Sequence, residues 1–173
     1  MFIHEVIYQL LVISFMAVIG LCGGSFASAI AHRISIGEGW IFSKKSVAGK
    51  KIFARSACSD CGHQLTVIDL FPVLSWVLTG GKCRYCSKKI SVKYPFIELF
   101  GAGLAIVFYL FSGEITNSSI LYLITLPFFL VFSLLLFSRS KSFAKIPLYI
   151  FVMTLLNILL FLFTIMRNID NFR

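Results

Sequence analysis

From Val6 to Ala31 the chain carries no Lys, Arg, Asp or Glu. A helix rises ~1.5 Å per residue, so ~20 apolar residues cross the ~30 Å hydrocarbon core of a bilayer. The run therefore predicts a spanning helix. A cleaved signal peptide would have a basic start and an apolar stretch of only ~7–15 residues. Here His4 and Glu5 precede a much longer run, and a retained helix is expected. The rest of the chain agrees with a membrane protein. Hydrophobic residues make up 58%, charged residues 13%, and Phe alone occurs 19 times. Ordinary soluble domains are ~45–50% apolar and ~25% charged. A typical cytosolic enzyme, a collagen-like chain and a disordered charged tail are excluded.

Three further apolar runs follow, Phe96–Phe111, Ile120–Phe137 and Ile146–Met166. Pro127 lies in the third of the four runs and need not break it, because neighbouring helices and shifted hydrogen bonds can satisfy a freed carbonyl. Between the first and second runs lies the one sizeable polar stretch. It holds 11 of the 16 basic residues, opposed only by Glu38, Asp60 and Asp69. Basic loops are retained in the cytoplasm. The rule puts this stretch and the 138–145 loop inside, with the amino terminus and the 112–119 loop outside. The carboxyl-terminal tail would then lie outside despite Arg167 and Arg173. The net charge of +9 is read as this retention and as attraction to anionic headgroups, at ~1 kcal/mol per basic residue near the surface. Membrane lipids are the expected partners, and no nucleic acid is expected.

Four of the five cysteines fall in the polar stretch, as Cys58-Ser-Asp-Cys61 and Cys83-Arg-Tyr-Cys86, with 21 residues between the inner pair. Each C-x-x-C turn sets two sulfurs on one side of a tight knuckle. Two facing knuckles offer four thiolates at ~2.3 Å from a tetrahedral Zn²⁺. A thiol redox motif needs only one such turn, and a disulfide is disfavoured where thiols are kept reduced. Zinc is the expected cofactor. With four thiolates the coordination shell is full, so the metal is structural and not a catalyst. His63 is expected to be a solvated knuckle residue and Cys22 a small packing residue of the first span. Gly20, Gly24 and Ser28 form a small-residue stripe on that span. Such a stripe admits a close helix neighbour, here expected to be another span of the same chain.

Gly24-Ser25-Phe26 followed by Arg33, the two knuckles, Asp69-Leu70-Phe71-Pro72-Val73-Leu74-Ser75-Trp76 between them, and Ile90-Ser91, Tyr94-Pro95 and Glu98 after them stand in one order. Over roughly residues 20–101 this resembles the amino-terminal portion of bacterial type IV prepilin peptidases. The resemblance implies an inner-membrane protein with a cytoplasmic zinc domain after its first helix. It also implies cleavage of pilin-like substrates after a leader glycine and N-methylation of the new amino terminus. Asp69 and Trp76 are expected to stabilise the turn between the knuckles. Glu98, near the start of the second span, needs a partner such as Lys93 or Arg33, or interfacial hydration.

The family's peptidase uses two aspartates, one before a Pro after a middle span and one in Gly-x-Gly-Asp. In these 173 residues no Asp or Glu stands between Ile115 and Ile169, Ser140 lies near the place of the first, and no Gly-x-Gly-Asp occurs. Aspartic proteolysis needs two close carboxyls in opposite protonation states, so no catalytic residue is assigned and peptidase activity is not expected. The expected fold is an all-α integral membrane protein of about four transmembrane helices with a small cytoplasmic zinc-ribbon-like module inserted after the first. Its parts are residues 1–31, the module 32–95 with Cys58, Cys61, Cys83 and Cys86 as metal ligands, and 96–173. The expected function is a prepilin-peptidase-like protein of a type IV pilus or type II secretion pathway that binds or acts on pilin-like substrates. The alternative is a structural adaptor or subunit in a pilus or secretion assembly.

Overall fold

The computed structural model describes residues 2–37, 42–47, 50–53, 55–112, 117–137 and 148–171. The loop containing Ser140 and residues 113–116 of the 112–119 connection, with Glu114, lie outside the described residues.

Helix α1 spans Phe2–Ser35, a short hairpin pairs β1 (Phe42–Val47) with β2 (Lys50–Phe53), and a 3-10 turn (Ile68–Leu70) leads to α2 (Leu74–Leu78). Three long helices follow, α3 (Lys93–Ser112), α4 (Asn117–Phe137) and α5 (Leu148–Asn171). The fold is helical, with four apolar helices and the cysteine module after the first. Stretches within α1, α3 and α5 are long and apolar enough to cross a membrane, and the apolar stretch Ser119–Leu135 of α4 is shorter. The chain is a membrane protein. The antiparallel hairpin, with Phe42 opposite Phe53 and Val47 opposite Lys50, was not anticipated. Its lysine-rich sequence has no hydrophobic alternation to mark a strand.

Between lipid-embedded helices water supplies no driving force, so close packing and interhelical hydrogen bonds must hold the bundle. Both are present. A Cβ on Gly20 would lie 2.5 Å from the Gly101 carbonyl oxygen, and one on Gly24 would lie 2.7 Å from the Glu98 Cα. The small-residue stripe of α1 is thus filled by α3 of the same chain. Gly101 reciprocates, since its own Cβ would meet the Gly20 carbonyl oxygen at 2.5 Å. Farther along the same pair, the Tyr109 hydroxyl donates to Gln9 Oε1 at 2.6 Å.

Helix α4 completes the core. Phe108 of α3 stacks on Tyr122 of α4 at 3.8 Å between ring centroids, and Leu126, Leu130 and Val131 are buried beside Met16 and Ala27 of α1. Pro127 stays within α4 and faces Gly23, where an added Cβ would meet its ring at 3.4 Å. Helix α5 is joined to α4 by a buried amide. Asn157 Nδ2 donates to the Tyr122 carbonyl at 3.2 Å and to Thr125 Oγ1 at 2.9 Å. Exposed side chains such as Leu10, Leu11, Phe15 and Phe163 make the outer face apolar, as a lipid environment requires.

Gly20→Ala forces a methyl into backbone that cannot yield. It is expected to destabilise the protein by ~1–3 kcal/mol, the usual cost of overpacking. Gly103, on the same helix pair, has open space around it, so Gly103→Ala is expected to be neutral or stabilising. Denaturant unfolding of both variants in the same micelle measures the difference.

Candidate metal centre

The two knuckles are built on one hydrogen-bond pattern. In the first, the Cys58 N–H donates to the His63 carbonyl at 2.9 Å and the Gly62 N–H to the Cys58 carbonyl at 3.0 Å. In the second, the Cys83 N–H donates to the Lys88 carbonyl at 2.8 Å and the Ser87 N–H to the Cys83 carbonyl at 2.9 Å. The outer rungs match as well, Leu65 N–H to Ser56 O and Ile90 N–H to Gly81 O. Both turns need a left-handed residue just after the second cysteine. Gly62 (φ 69°) supplies it without cost, and Ser87 (φ 57°) adopts the same conformation with a side chain. Gly81 (φ 69°) is also constrained from outside, because an added Cβ would lie 2.7 Å from the Trp76 indole.

These turns bring the Sγ atoms of Cys58, Cys61, Cys83 and Cys86 within 4.8 Å of one another. Cys58 and Cys86 Sγ are 3.9 Å apart. A tetrahedron with ~2.3 Å zinc–sulfur bonds has sulfur–sulfur edges of ~3.8 Å. The four residues therefore fit a tetrahedral metal ion in number, chemistry and spacing. The backbone amides of Cys61 and Asp60 hold the Cys58 thiol down at about 7. At Cys86 the Lys88 amide favours the thiolate, but desolvation and the neighbouring sulfurs push the thiol up to about 12. Such a cluster sheds protons when a metal enters. His63 lies outside the cluster and stacks on Tyr85 at 3.6 Å.

Asp69 ties the two knuckles together. Its Oδ2 accepts from the Thr66 amide (3.0 Å), the Thr66 hydroxyl (2.7 Å) and the Tyr85 hydroxyl (3.0 Å), while Arg84 Nε lies 3.3 Å from Oδ1. The Thr66 hydroxyl foremost, then its amide, Tyr85 and Arg84, hold the carboxyl below the usual carboxylate range against some desolvation. Asp60 pairs with Lys88 of the other knuckle at 3.3 Å. Trp76 Nε1 donates to the Ile90 carbonyl at 3.1 Å, fastening the inter-knuckle segment to the second knuckle.

Glu98 is buried in α3, and its Oε2 accepts a 2.6 Å hydrogen bond from the Val73 N–H. The sequence pointed to a basic partner or to water; the structure adds a hydrogen bond from the module's own backbone. Val73 has φ 58° and ψ −49°, and the Leu74 N–H reaches back to the Pro72 carbonyl at 2.5 Å. A β-branched residue in this γ-turn is strained, at a cost of ~1–3 kcal/mol. The hydrogen bond that the Val73 N–H donates to Glu98 offsets part of that strain. No sequence signal marked Val73, because the turn exists only when α3 presents the acid to it.

A cleft of about 590 Å³ opens between the module and the near ends of α1 and α3. Ser25, Ser28, His32 and Arg33 line it from α1, Glu98 from α3, and Cys58, Asp69 and Trp76 from the module. Each of its three carboxyls, Asp60, Asp69 and Glu98, is engaged in the contacts just described. Its acids serve the fold.

Apolar helices flanking a paired-knuckle thiolate cluster define a membrane protein with a metal-capable module. The model for the bacterial peptidase A24 N-terminal domain matches residues 18–112, and the chain belongs to that family. Among similar proteins is a prepilin leader peptidase/N-methyltransferase of Burkholderia pseudomallei strain 1026b, 34% identical over 107 residues, covering 54% of this chain and 35% of that protein. One of the same description from Myxococcus xanthus strain DK1622 is 35% identical over 85 residues (49% and 22%). Another, from Vibrio cholerae serotype O1 El Tor Inaba N16961, is 30% identical over 122 residues (68% and 44%). The chain thus spans less than half the length of these relatives. No solved structure matches it.

Asp69→Asn removes the ion pair with Arg84 and is expected to lower stability by ~1.5–3 kcal/mol, the range for hydrogen bonds to charged groups. Because the folded carboxyl titrates below its ordinary value of 3.8, its contribution is present above that value and disappears as pH falls through the folded pKa. Melting curves of wild type and variant are expected to differ at neutral pH and to converge in acid.

Proposed function

We propose that the chain is a prepilin-peptidase-like protein of the bacterial inner membrane, serving a type IV pilus or type II secretion pathway. It binds pilin-like substrates and does not itself cut them by aspartic chemistry. The observation that carries this reading is the family match over residues 18–112, which covers the thiolate module, the second half of α1 and all of α3. The non-proteolytic part rests on the carboxyls. Asp60, Asp69 and Glu98 all hold the module together, and the stretch Ile115–Ile169 has no acid. N-methylation, the second activity in the relatives' description, is the activity this reading leaves to the chain. The zinc module faces the cytoplasm and the amino terminus lies outside, as the basic residues around the knuckles favour. The parts of the chain are 1–31, 32–95 and 96–173.

Cys58, Cys61, Cys83 and Cys86 would hold a structural Zn²⁺. When bound, the metal supplies folding energy to a module too small to be stable on its own core. Elemental analysis of purified protein is expected to give about one zinc per chain. Cys83→Ser, at the buried corner of the cluster, is expected to abolish it. Because thiols must lose protons to bind, zinc affinity is expected to rise with pH.

Incubation of the protein in nanodiscs with a prepilin, scoring retention, cleavage and methylation separately, tests the functional reading. Retention without cleavage is expected. Cleavage that vanishes on replacing Asp60, Asp69 or Glu98 overturns it. Failure to retain prepilin, together with a stoichiometric co-purifying subunit, favours the adaptor alternative.

A further inference from the structure

We propose that the inter-knuckle segment Val67–Leu78 is a membrane-inserted wedge, seated at the headgroup–acyl boundary of the leaflet that faces the module, with lipid as its occupant. Three observations carry this. The first is its surface. Val67 (76% exposed), Ile68, Phe71, Leu74, Val77 and Leu78 (70%) all project outward. The only charge between Leu65 and Gly81 is Asp69, and its side chain is turned inward, 8% exposed. A continuous apolar face of this kind in water is rare in a stable protein and marks an interaction surface.

The second is depth. At ~1.5 Å per residue, the 20 residues of α3 just span the ~30 Å hydrocarbon core. Lys93 then sits at the boundary and Glu98 about 7.5 Å inside it. The Val73 amide is hydrogen-bonded to Glu98 at 2.6 Å, so the middle of the segment is held at that level. Amphipathic interfacial elements bury their apolar face ~5–10 Å into the same zone. Irregular backbone at membrane depth is tolerated where its polar groups are satisfied by protein, and the Glu98 carboxylate does this for Val73. On α3 itself, Phe96, Leu99 and Phe100 are exposed as well.

The third is charge. Lys82 and Lys89 stand opposite each other in an antiparallel bridge, and Ile90, next in the chain, accepts the Trp76 indole N–H. Two lysines thus flank the back edge of the wedge, placed to meet anionic headgroups, while the Trp76 ring sits where aromatic side chains favour the interface.

The test uses the full chain in phosphatidylcholine–phosphatidylglycerol nanodiscs, one copy per disc, with lipids brominated near the glycerol end of the acyl chain. Single reporters are Val67→Trp, Leu78→Trp and Ser59→Trp, in a Trp40→Phe background whose Trp76 signal is subtracted. Ser59 neighbours the solvated Asp60–Lys88 ion pair and serves as the aqueous reference. Quenching is expected to be several-fold stronger at positions 67 and 78 than at 59. Weak quenching at all three, with full access to iodide, places the segment in water and overturns the proposal. Weak bromolipid quenching at 67 and 78 combined with protection from iodide means a protein surface covers the face, and also overturns it. Should either reporter fail to fold, Phe71→Trp in the same background, on the same exposed face, reads the depth. No substrate enters the measurement, so it succeeds or fails independently of the proposed substrate binding.

Discussion

Two backbones touch where Gly20 meets Gly101 and Gly24 meets Glu98, and much of the remaining architecture depends on that contact. In lipid the helices gain nothing from excluding water, so the attraction must come from packing that side chains would obstruct. Gly20 and Gly24, one turn apart on α1, allow α3 to lie against it. That approach sets Glu98 on the inner side of α3, beneath the module, where its carboxylate meets Val73. The acid therefore works as a fastener between the helix bundle and the cysteine module.

The module answers with a second fastening system. Its two knuckles repeat one set of backbone hydrogen bonds, and the four thiols converge from opposite strands of that repeat. Asp69 and the Asp60–Lys88 pair cross between the halves, so the cluster has a polar frame before any metal is considered. A metal fit of this quality follows from short-range turn geometry and from that frame together. The same frame draws the segment's only charge inward and leaves its outer face wholly apolar.

Much of this was readable from residues alone because the signals were local. Apolar runs mark spanning helices regardless of what surrounds them, and two C-x-x-C turns imply facing thiolates wherever the chain brings them together. The packing of the glycine stripe against the chain's own helices also followed, since neighbours in sequence are the nearest candidates in a bilayer. The hairpin was not readable, because lysine-rich strands carry no period. Asn157 was equally hidden. One amide in an apolar run looks like noise until α4 offers it a carbonyl and a hydroxyl one turn before Pro127.

The sequence by itself determined the membrane environment, the positions of the apolar helices and the identity of the four thiol groups. Each depends on composition over a short window or on the stereochemistry of a tight turn. Only the tertiary structure decided what Glu98 binds, why Val73 accepts a strained turn, and which way the inter-knuckle side chains face. Those outcomes join residues 25 positions apart through a hydrogen bond whose direction is set by helix packing, and no local rule contains that information.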